Sequence, residues 1–175
     1  MLQRIQTVYL LATFILSTLL FFLPMGGFQL SLPMTEAQNG AETDVYSYYA
    51  TGLVKETQFN EAVEAVAPVT ETVAHSWALM ALVIVILIVN VIGIMLYKNR
   101  VFQMRFNLLN ILLNLGLYPL FFLFAWGTSQ KIGEGVEVNY YLPLVFPIVN
   151  MLLTYLAIRA IGKDEALVRS LDRIR

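Results

Sequence analysis

The sequence predicts an all-α membrane protein: a bundle of four transmembrane helices with both termini in the cytoplasm. Four runs of roughly 20 apolar residues almost lack charge, and nine of the 11 Lys and Arg residues fall on one side of the membrane that these runs define. A hydrocarbon core about 30 Å thick needs roughly 20 helical residues at 1.5 Å each. The 58% hydrophobic content agrees, because a soluble chain of this length carries more charge.

The predicted spans belong to a single membrane domain over residues 1–175 and cover residues 5–23, 77–97, 106–126 and 140–161. The first is interpreted as a retained span and not as a cleaved signal peptide, because its apolar stretch is long and Pro24-Met25-Gly26-Gly27 follows it instead of a cleavage site. Trp77, Tyr97 and Trp126 lie at span boundaries, where amphipathic rings are favoured.

The basic residues predict the orientation. One side of the membrane receives Arg4, Lys98, Arg100, Arg105, Arg159, Lys163, Arg169, Arg173 and Arg175. The opposite side receives Lys55 and Lys131. Because Lys and Arg are retained on the cytoplasmic side, both termini are expected there.

The first outer loop, residues 24–76, is acidic and carries seven Asp or Glu residues against Lys55. Such a loop repels nucleic acid, which is therefore not an expected partner. Residues 28–32 alternate and residues 45–49 are aromatic, so two short strands are predicted, with a hairpin around Asn39-Gly40 as one arrangement.

Two further features of this loop are open to interpretation. Residues 58–74 are rich in Ala, Glu and Val and predict a short helix leading into the second span. Tyr46, Tyr48 and Tyr49 either cover the core of the loop itself or form a contact patch for a partner. The whole loop is thus expected to be a small mixed structure, and it contains no cysteine that could form a disulfide.

Polar side chains inside the spans form the first candidate site. They are Asn90 in the second span, Asn107, Asn110 and Asn114 in the third, and Asn150 and Thr154 in the fourth. Spacings of three and four place the three Asn residues of the third span on one helix face. An amide in hydrocarbon needs a hydrogen-bond partner, so these groups are expected to meet inside the bundle, as interhelical contacts or as the lining of a polar groove. Pro119 predicts a bend in the third helix.

The cytoplasmic tail, residues 162–175, forms the second candidate site. Leu167, Leu171 and Ile174 follow the helical i, i+4, i+7 pattern, and Arg169 and Arg173 flank this stripe. The pattern predicts a short amphipathic helix that docks on lipid or on a cytosolic partner. Asp164 is expected near the N-terminus of that helix, where the helix dipole favours an acid.

The residues for catalysis and metal binding are few. The chain has no cysteine, its one histidine is His75, and no Asp or Glu lies in a predicted span. One His cannot build a structural zinc site or a bis-His haem site. We therefore expect no enzyme activity, no cofactor and no metal.

Three segments resemble one family. They are Met1-Leu-Gln-Arg-Ile-Gln-Thr-Val-Tyr-Leu-Leu at the start, Tyr97-Lys-Asn-Arg-Val-Phe-Gln-Met-Arg105 between the second and third spans, and residues 159–175, with Lys163-Asp-Glu-Ala-Leu-Val-Arg-Ser as the most specific part. Together they are similar to the domain of unknown function family 4293, small four-span inner-membrane proteins of the Bacteroidetes. The resemblance covers essentially the whole chain. It implies the bacterial inner membrane, a multi-pass topology and a role for the tail, but no catalytic residues.

These observations favour a non-catalytic accessory or scaffold subunit of an inner-membrane complex, with membrane lipids and other membrane-protein subunits as partners. One alternative is a small oligomeric transporter or channel with a groove lined by Asn. Another is a lipid-handling protein at the membrane surface, which the basic tail suggests.

Overall fold

A computed structural model gives the fold of the chain and describes residues 3–31, 43–58, 70–132 and 139–172. The helices are α1 (Gln3–Phe22), α2 (Trp77–Met95), α3 (Arg100–Ile132) and α4 (Phe146–Asp172). The strands are β1 (Gly26–Ser31), β2 (Thr43–Tyr49), β3 (Gly52–Gln58), β4 (Thr70–His75) and β5 (Asn139–Tyr140). Short 3₁₀ helices, Leu96–Lys98 and Leu142–Val145, follow α2 and precede α4.

The four long apolar helices are confirmed. Four segments are long and apolar enough to cross a membrane, namely Ile5–Phe22, Trp77–Met95, Arg100–Gln130 and Leu142–Leu167, the last of which includes the 3₁₀ helix that precedes α4. Large apolar side chains such as Leu108, Leu112 and Leu152 are exposed on these helices. Exposed leucines along a long apolar helix are what a lipid environment accommodates.

Helix α3 is longer than the predicted span of 106–126. Its 33 residues reach about 50 Å at 1.5 Å each, well beyond a core of about 30 Å. The sequence marks where hydrophobicity ends, but a helix satisfies its own backbone in water as well as in lipid, so it continues through Arg100 and Arg105 at one end and Gly127 at the other. Pro119 lies inside this helix.

The start of the fourth span is also corrected. The predicted span begins at residue 140, but Asn139–Tyr140 is a strand and α4 begins at Phe146. Pro147, the second residue of α4, is tolerated because the first helical turn has no intrahelical partner for its N–H.

The predicted separate tail helix is wrong. Helix α4 continues without a break through Gly162 to Asp172. A glycine inside a helix costs only about 1 kcal/mol relative to alanine, which tertiary contacts readily offset. Asp164 therefore lies in the interior of a long helix and not at an N-terminus, so the predicted dipole interaction does not apply.

The chain divides into two compact units. The first, here called the helical unit, consists of Met1–Leu19, Ala81–Pro119 and Val145–Arg175. The second, here called the sheet unit, consists of Leu20–Met80 and Leu120–Leu144.

The sheet unit contains a five-stranded antiparallel sheet in the order β4-β3-β2-β1-β5. The predicted strands at 28–32 and 45–49 correspond to β1 and β2, which pair with Phe28 opposite Tyr46. The sheet is larger than a two-stranded hairpin, because β3, β4 and β5 extend it on both sides. The all-α description therefore becomes mostly helical with a small antiparallel sheet.

The predicted helix at 58–74 is wrong where the structure describes it. Residues 70–74 belong to β4, which pairs with β3 through contacts such as Leu53 with Ala74. The pairing edge offered by β3 decides the conformation here, since Thr70 and Val73 also suit a strand. Residues 59–69 and the expected Asn39-Gly40 turn lie outside the described residues.

Aromatic rings form the core of the sheet unit. Phe28 stacks on Tyr46 with ring centroids 4.6 Å apart. The Tyr48 ring meets Phe121 and Phe124 of α3 edge-on, both at 6.0 Å, and its hydroxyl donates a hydrogen bond of 3.3 Å to the carbonyl of Ala125. Tyr46 and Tyr48 are buried, which fits the interpretation that these rings cover the core of the loop itself.

Candidate functional site

The polar side chains predicted inside the spans all lie in the helical unit and are almost completely buried. At most 2% of each is exposed, and the set is Asn90, Asn107, Asn110, Asn114, Asn150 and Thr154. Helical spacing places Asn110 and Asn114 on one face of α3, and Asn150 and Thr154 on one face of α4.

Asn90 of α2 connects three helices. Its Oδ1 accepts a hydrogen bond of 2.6 Å from Asn110 Nδ2 of α3. The same oxygen lies 3.2 Å from Thr13 Oγ1 of α1, whose single proton is shared with the Leu10 carbonyl at 2.8 Å. Its Nδ2 donates to Ser17 Oγ of α1 at 3.2 Å. Interhelical bonds of this kind contribute about 0.6 to 2 kcal/mol each, so Asn90 is a point of attachment between helices.

Ser17 extends the same network to the fourth helix. Its hydroxyl donates to the Thr13 carbonyl at 2.8 Å and accepts from Asn90 Nδ2 and from Asn150 Nδ2, the latter at 3.0 Å. One donor and two acceptor sites fill the capacity of a serine hydroxyl. Thr13 and Ser17 were not predicted as members of this network, although their spacing of four matches that of Asn110 and Asn114 in the third span.

The contacts of Asn114 determine which way the amides point. Asn114 Nδ2 lies 2.9 Å from both the backbone carbonyl and the Oδ1 of Asn110. A backbone carbonyl only accepts, so this atom of Asn114 must be nitrogen. Asn110 must then face Asn90 with its Nδ2, and Asn90 must face Ser17 with its own. This one main-chain acceptor therefore sets the direction of the hydrogen bonds from Asn114 through Asn110 and Asn90 to Ser17.

Four buried polar atoms of the predicted set have no hydrogen-bond partner among the described residues. They are Asn107 Nδ2, Asn114 Oδ1, Asn150 Oδ1 and Thr154 Oγ1. A buried polar atom without a partner costs about 1–3 kcal/mol, so each of these atoms needs an explanation.

Asn107 contacts α2 at a glycine. A methyl group at Gly93 would lie 3.1 Å from Asn107 Oδ1, closer than ordinary contact distance. Gln103 Nε2, one turn earlier on α3, donates to the Gly93 carbonyl at 3.0 Å. Gly93 therefore permits α2 and α3 to approach closely at this level.

A second buried polar contact joins α1 to the far part of α4. Gln6 Nε2 donates to Asp164 Oδ2 at 2.5 Å, and both side chains are only 7% exposed. Neither residue stood out in the sequence analysis as a contact, because Gln6 precedes the apolar core of its span and Asp164 belongs to a charged segment. Only the tertiary structure brings residues 158 positions apart together.

The predicted docking residues of the tail are described only in part. Leu167 lies on α4 with 54% of its surface exposed. Arg169 and Leu171 belong to the helix, but their side chains lie outside the described set, as do Arg173 and Ile174 altogether. Docking by this tail stays a prediction.

A pocket of about 270 Å³ lies in the sheet unit between the start of α2 and α3. Its lining includes His75, Trp77, Leu123 and Phe124. Among the described residues, no group of three or more His, Cys, Asp or Glu side chains is placed to hold a metal ion.

The buried network is built from neutral amides and hydroxyls. Such groups bind by hydrogen bonding, and they can hold helices together or contact a small polar guest. The network directly joins α1 to α2 and α4, and α2 to α3, through Ser17 and Asn90.

Comparison with known proteins gives a family and no function. No curated protein matches the chain. One family model, described as "Domain of unknown function (DUF4293)", matches residues 2–174. Because this match spans nearly the whole sequence, the chain belongs to the DUF4293 family of proteins.

Proposed function

We propose that this chain is a non-catalytic integral protein of the bacterial inner membrane, with both termini in the cytoplasm, and that it serves as an accessory or scaffold subunit of a membrane complex. The helices hold the protein in the bilayer. The sheet is the element offered to other subunits outside the spans.

The pairing of β1 with β5 carries this proposal. Gly26 lies opposite Tyr140, and Gly27 lies opposite Asn139. Strand β1 belongs to the connection between α1 and α2, and β5 to the connection between α3 and α4. In a chain that crosses the membrane four times, these two connections emerge on the same side, so their pairing supports a four-span topology. It also makes one folded element from two separate loops.

The close fit at these glycines supports a fixed arrangement of that element. A methyl group at Gly27 would lie 2.5 Å from the Tyr46 carbonyl and 2.7 Å from the Tyr141 hydroxyl. Tyr141 N also donates to the Met25 carbonyl at 3.1 Å. A sheet constrained in this way presents a constant surface, which suits a scaffold.

The buried network supports the same role, because it holds the helices to one another. Asn90 alone makes contacts with α1 and α3. Interhelical amide bonds most often act as this kind of attachment.

The distribution of basic residues supports the orientation, and it can be tested directly in a chain without cysteine. Thr72→Cys in β4 and Asn99→Cys between α2 and α3 would each provide one thiol at an exposed position. In intact spheroplasts, an impermeant maleimide is expected to label Thr72→Cys and to spare Asn99→Cys until the membrane is opened. The reverse pattern would invert the topology.

The scaffold role is tested by site-specific crosslinking in native membranes. A photoreactive amino acid at Val73, which is 49% exposed in β4, is expected to give one defined protein adduct. The same group at Leu112, which is 58% exposed on α3, is the control and is expected to react with lipid. If Val73 gives no protein adduct and the chain purifies alone as a monomer, the scaffold proposal fails.

A small transporter is the second candidate, because Asn114 Oδ1 and Asn150 Oδ1 are buried acceptors without a partner among the described residues. Such oxygens could contact a passing solute. Proteoliposomes carrying the protein can be tested for urea and NaCl flux by stopped-flow light scattering. If Asn110→Leu and Asn114→Leu fold but leave any flux unchanged, the Asn face does not line a path.

A further inference from the structure

Three buried side-chain oxygens in the helical unit lack a hydrogen-bond partner among the described residues. They are Asn114 Oδ1 on α3 and Asn150 Oδ1 and Thr154 Oγ1 on α4. All three residues are 0% exposed. The two amide oxygens can only accept, and their identity as oxygens is set by the bonds that their own nitrogens make to the Asn110 carbonyl and to Ser17.

These three side chains lie at comparable depths. A hydrogen bond between the Tyr118 hydroxyl and the backbone of Ile148 makes α3 and α4 neighbours. Consecutive spans run in opposite directions. Toward the proposed cytoplasmic side, residue numbers therefore fall along α3 and rise along α4. Distances along the helix axes are counted from the level of this contact, at 1.5 Å per residue. Asn150 lies about 3 Å closer to the cytoplasmic side, Asn114 about 6 Å closer and Thr154 about 9 Å closer. Asn114 therefore lies between the levels of the two α4 side chains.

Thr154 differs from other hydroxyl residues in the described helices. Thr13, Thr18 and Thr128 each donate to a backbone carbonyl three or four residues earlier in the same helix, at 2.7–2.8 Å. The equivalent acceptor for Thr154 is the carbonyl of Asn150, but Thr154 Oγ1 has no such partner. Its proton therefore needs an acceptor of another kind.

The site thus requires two donors for the amide oxygens and one acceptor for the threonine proton. A water molecule supplies this set, and buried waters in proteins typically make about three hydrogen bonds. A metal cation could bind all three oxygens but could not accept the proton, and a charge among neutral groups inside a membrane is costly.

We propose that Asn114, Asn150 and Thr154 form a binding site for one ordered water molecule that bridges α3 and α4. This goes beyond the proposed scaffold function and does not depend on it. Direct hydrogen bonds already join α1 to α2, α2 to α3 and α1 to α4. The water adds a connection between side chains of α3 and α4 to the Tyr118 contact with the Ile148 backbone, and it closes a ring of polar side chains through all four helices.

The sign of one stability change tests the site. Thr154→Val keeps the shape of the side chain and removes the hydroxyl. If the hydroxyl binds the water, the full-length protein in detergent should lose about 2–4 °C in its thermal midpoint, the shift expected for one hydrogen bond in a chain of this size. If the hydroxyl has no partner, removing it relieves a desolvation cost, and an unchanged or higher midpoint would overturn the proposal.

Thr18→Val is the matched control, because its hydroxyl donates to the Phe14 carbonyl of its own helix at 2.8 Å. A bond of this kind adds little to a helix, so a midpoint within about 1 °C of the wild type is expected. Both measurements are repeated with choline chloride in place of NaCl at equal ionic strength. A stabilisation specific to sodium that Thr154→Val abolishes would overturn water in favour of a cation.

Solid-state NMR in lipid bilayers gives a readout that is independent of folding stability. Magnetisation transfer from water protons to the side-chain amide carbons of Asn114 and Asn150 is expected in the wild type and should weaken in Thr154→Val. Absence of this transfer in the wild type would contradict the site even if the thermal result agreed.

Discussion

Asn110 of α3 donates a hydrogen bond of 2.6 Å to Asn90 of α2, and neither side chain carries a charge. The same Asn90 oxygen contacts the Thr13 hydroxyl of α1, and the Asn90 amide nitrogen donates to the Ser17 hydroxyl of α1. The stability of the helical unit should therefore depend strongly on Asn90.

Asn90→Ala removes two hydrogen bonds and the shared contact with Thr13. We expect it to lower the free energy of unfolding by about 1–2 kcal/mol, taking about 0.6 kcal/mol for each interhelical bond. The measurement is reversible unfolding in mixed SDS and non-ionic micelles. Leu112→Ala, on an exposed face of α3, is the control and should change stability by less than about 0.5 kcal/mol. Equal effects of the two substitutions would show that the network contributes no special stability.

The contact between Gln6 and Asp164 should hold the last turns of α4 against α1. Asp164→Ala removes the acceptor, so we expect backbone amides from residue 164 to 172 to exchange with deuterium several-fold faster, because local opening then needs no broken side-chain contact. Exchange followed by mass spectrometry measures this. Lys163→Ala, at an exposed position on the same turn, should leave the rates unchanged. If the two variants behave alike, the Gln6 contact does not restrain the helix.

Tyr48 should make stability dependent on alkaline pH. Burial, with a smaller contribution from the charge of Tyr140, raises the pKa of Tyr48 from 10.0 to about 12. The folded state thus keeps the phenol proton more tightly than the unfolded state does. This contribution is fully present below pH 10 and is lost as the pH rises through about 12.

The difference in unfolding free energy between wild type and Tyr48→Phe isolates this effect, because all other titrating groups are shared. We expect the wild type to lose stability relative to the variant as the pH rises from 10 to 12. Below pH 10 the difference should be constant and small, since the variant loses only one long hydrogen bond of 3.3 Å. A difference that does not change with pH would mean that Tyr48 ionises freely in the folded protein.

Gly52 should be the least replaceable glycine of the sheet. Its φ is +154°, and a methyl group there would clash with the Ala74 carbonyl. We expect Gly52→Ala to destabilise the protein by about 1–3 kcal/mol through backbone strain and this clash. Loss of stability in the same micelle assay measures the effect.

Gly116→Ala is the matched control. Apart from the neighbouring backbone of α3 itself, no atom of the described residues lies within 4 Å of a methyl group at Gly116, and alanine favours a helix over glycine by up to about 1 kcal/mol. Its stability should be unchanged or raised. Destabilisation by both substitutions to a similar degree would contradict the role assigned to the conformation of Gly52.

Part of the fold could be read from the sequence for a physical reason. A membrane core selects apolar helices of a certain length, so the four helices are visible as uncharged runs, and helical spacing alone places Asn107, Asn110 and Asn114 on one face. Strands β1 and β2 were visible too, because alternation and aromatic residues are local signals.

The rest was decided by contacts between distant residues. The β5 strand has two residues and exists because Gly26 and Gly27 leave space beside it. β4 forms at the free edge of β3, although its composition favours a helix equally well. The continuation of α4 past Gly162 and the burial of Asp164 against Gln6 likewise depend on packing.

For this protein, the sequence by itself determined the number of helices, their apolar character and the polar face of α3, because these depend on composition and on a period of 3.6 residues. Only the tertiary structure determined which amide meets which partner, that Ser17 joins α1 to α4, and that two loops form one sheet. Hydrogen-bond partners depend on distances between segments far apart in the chain, and no local pattern encodes those distances.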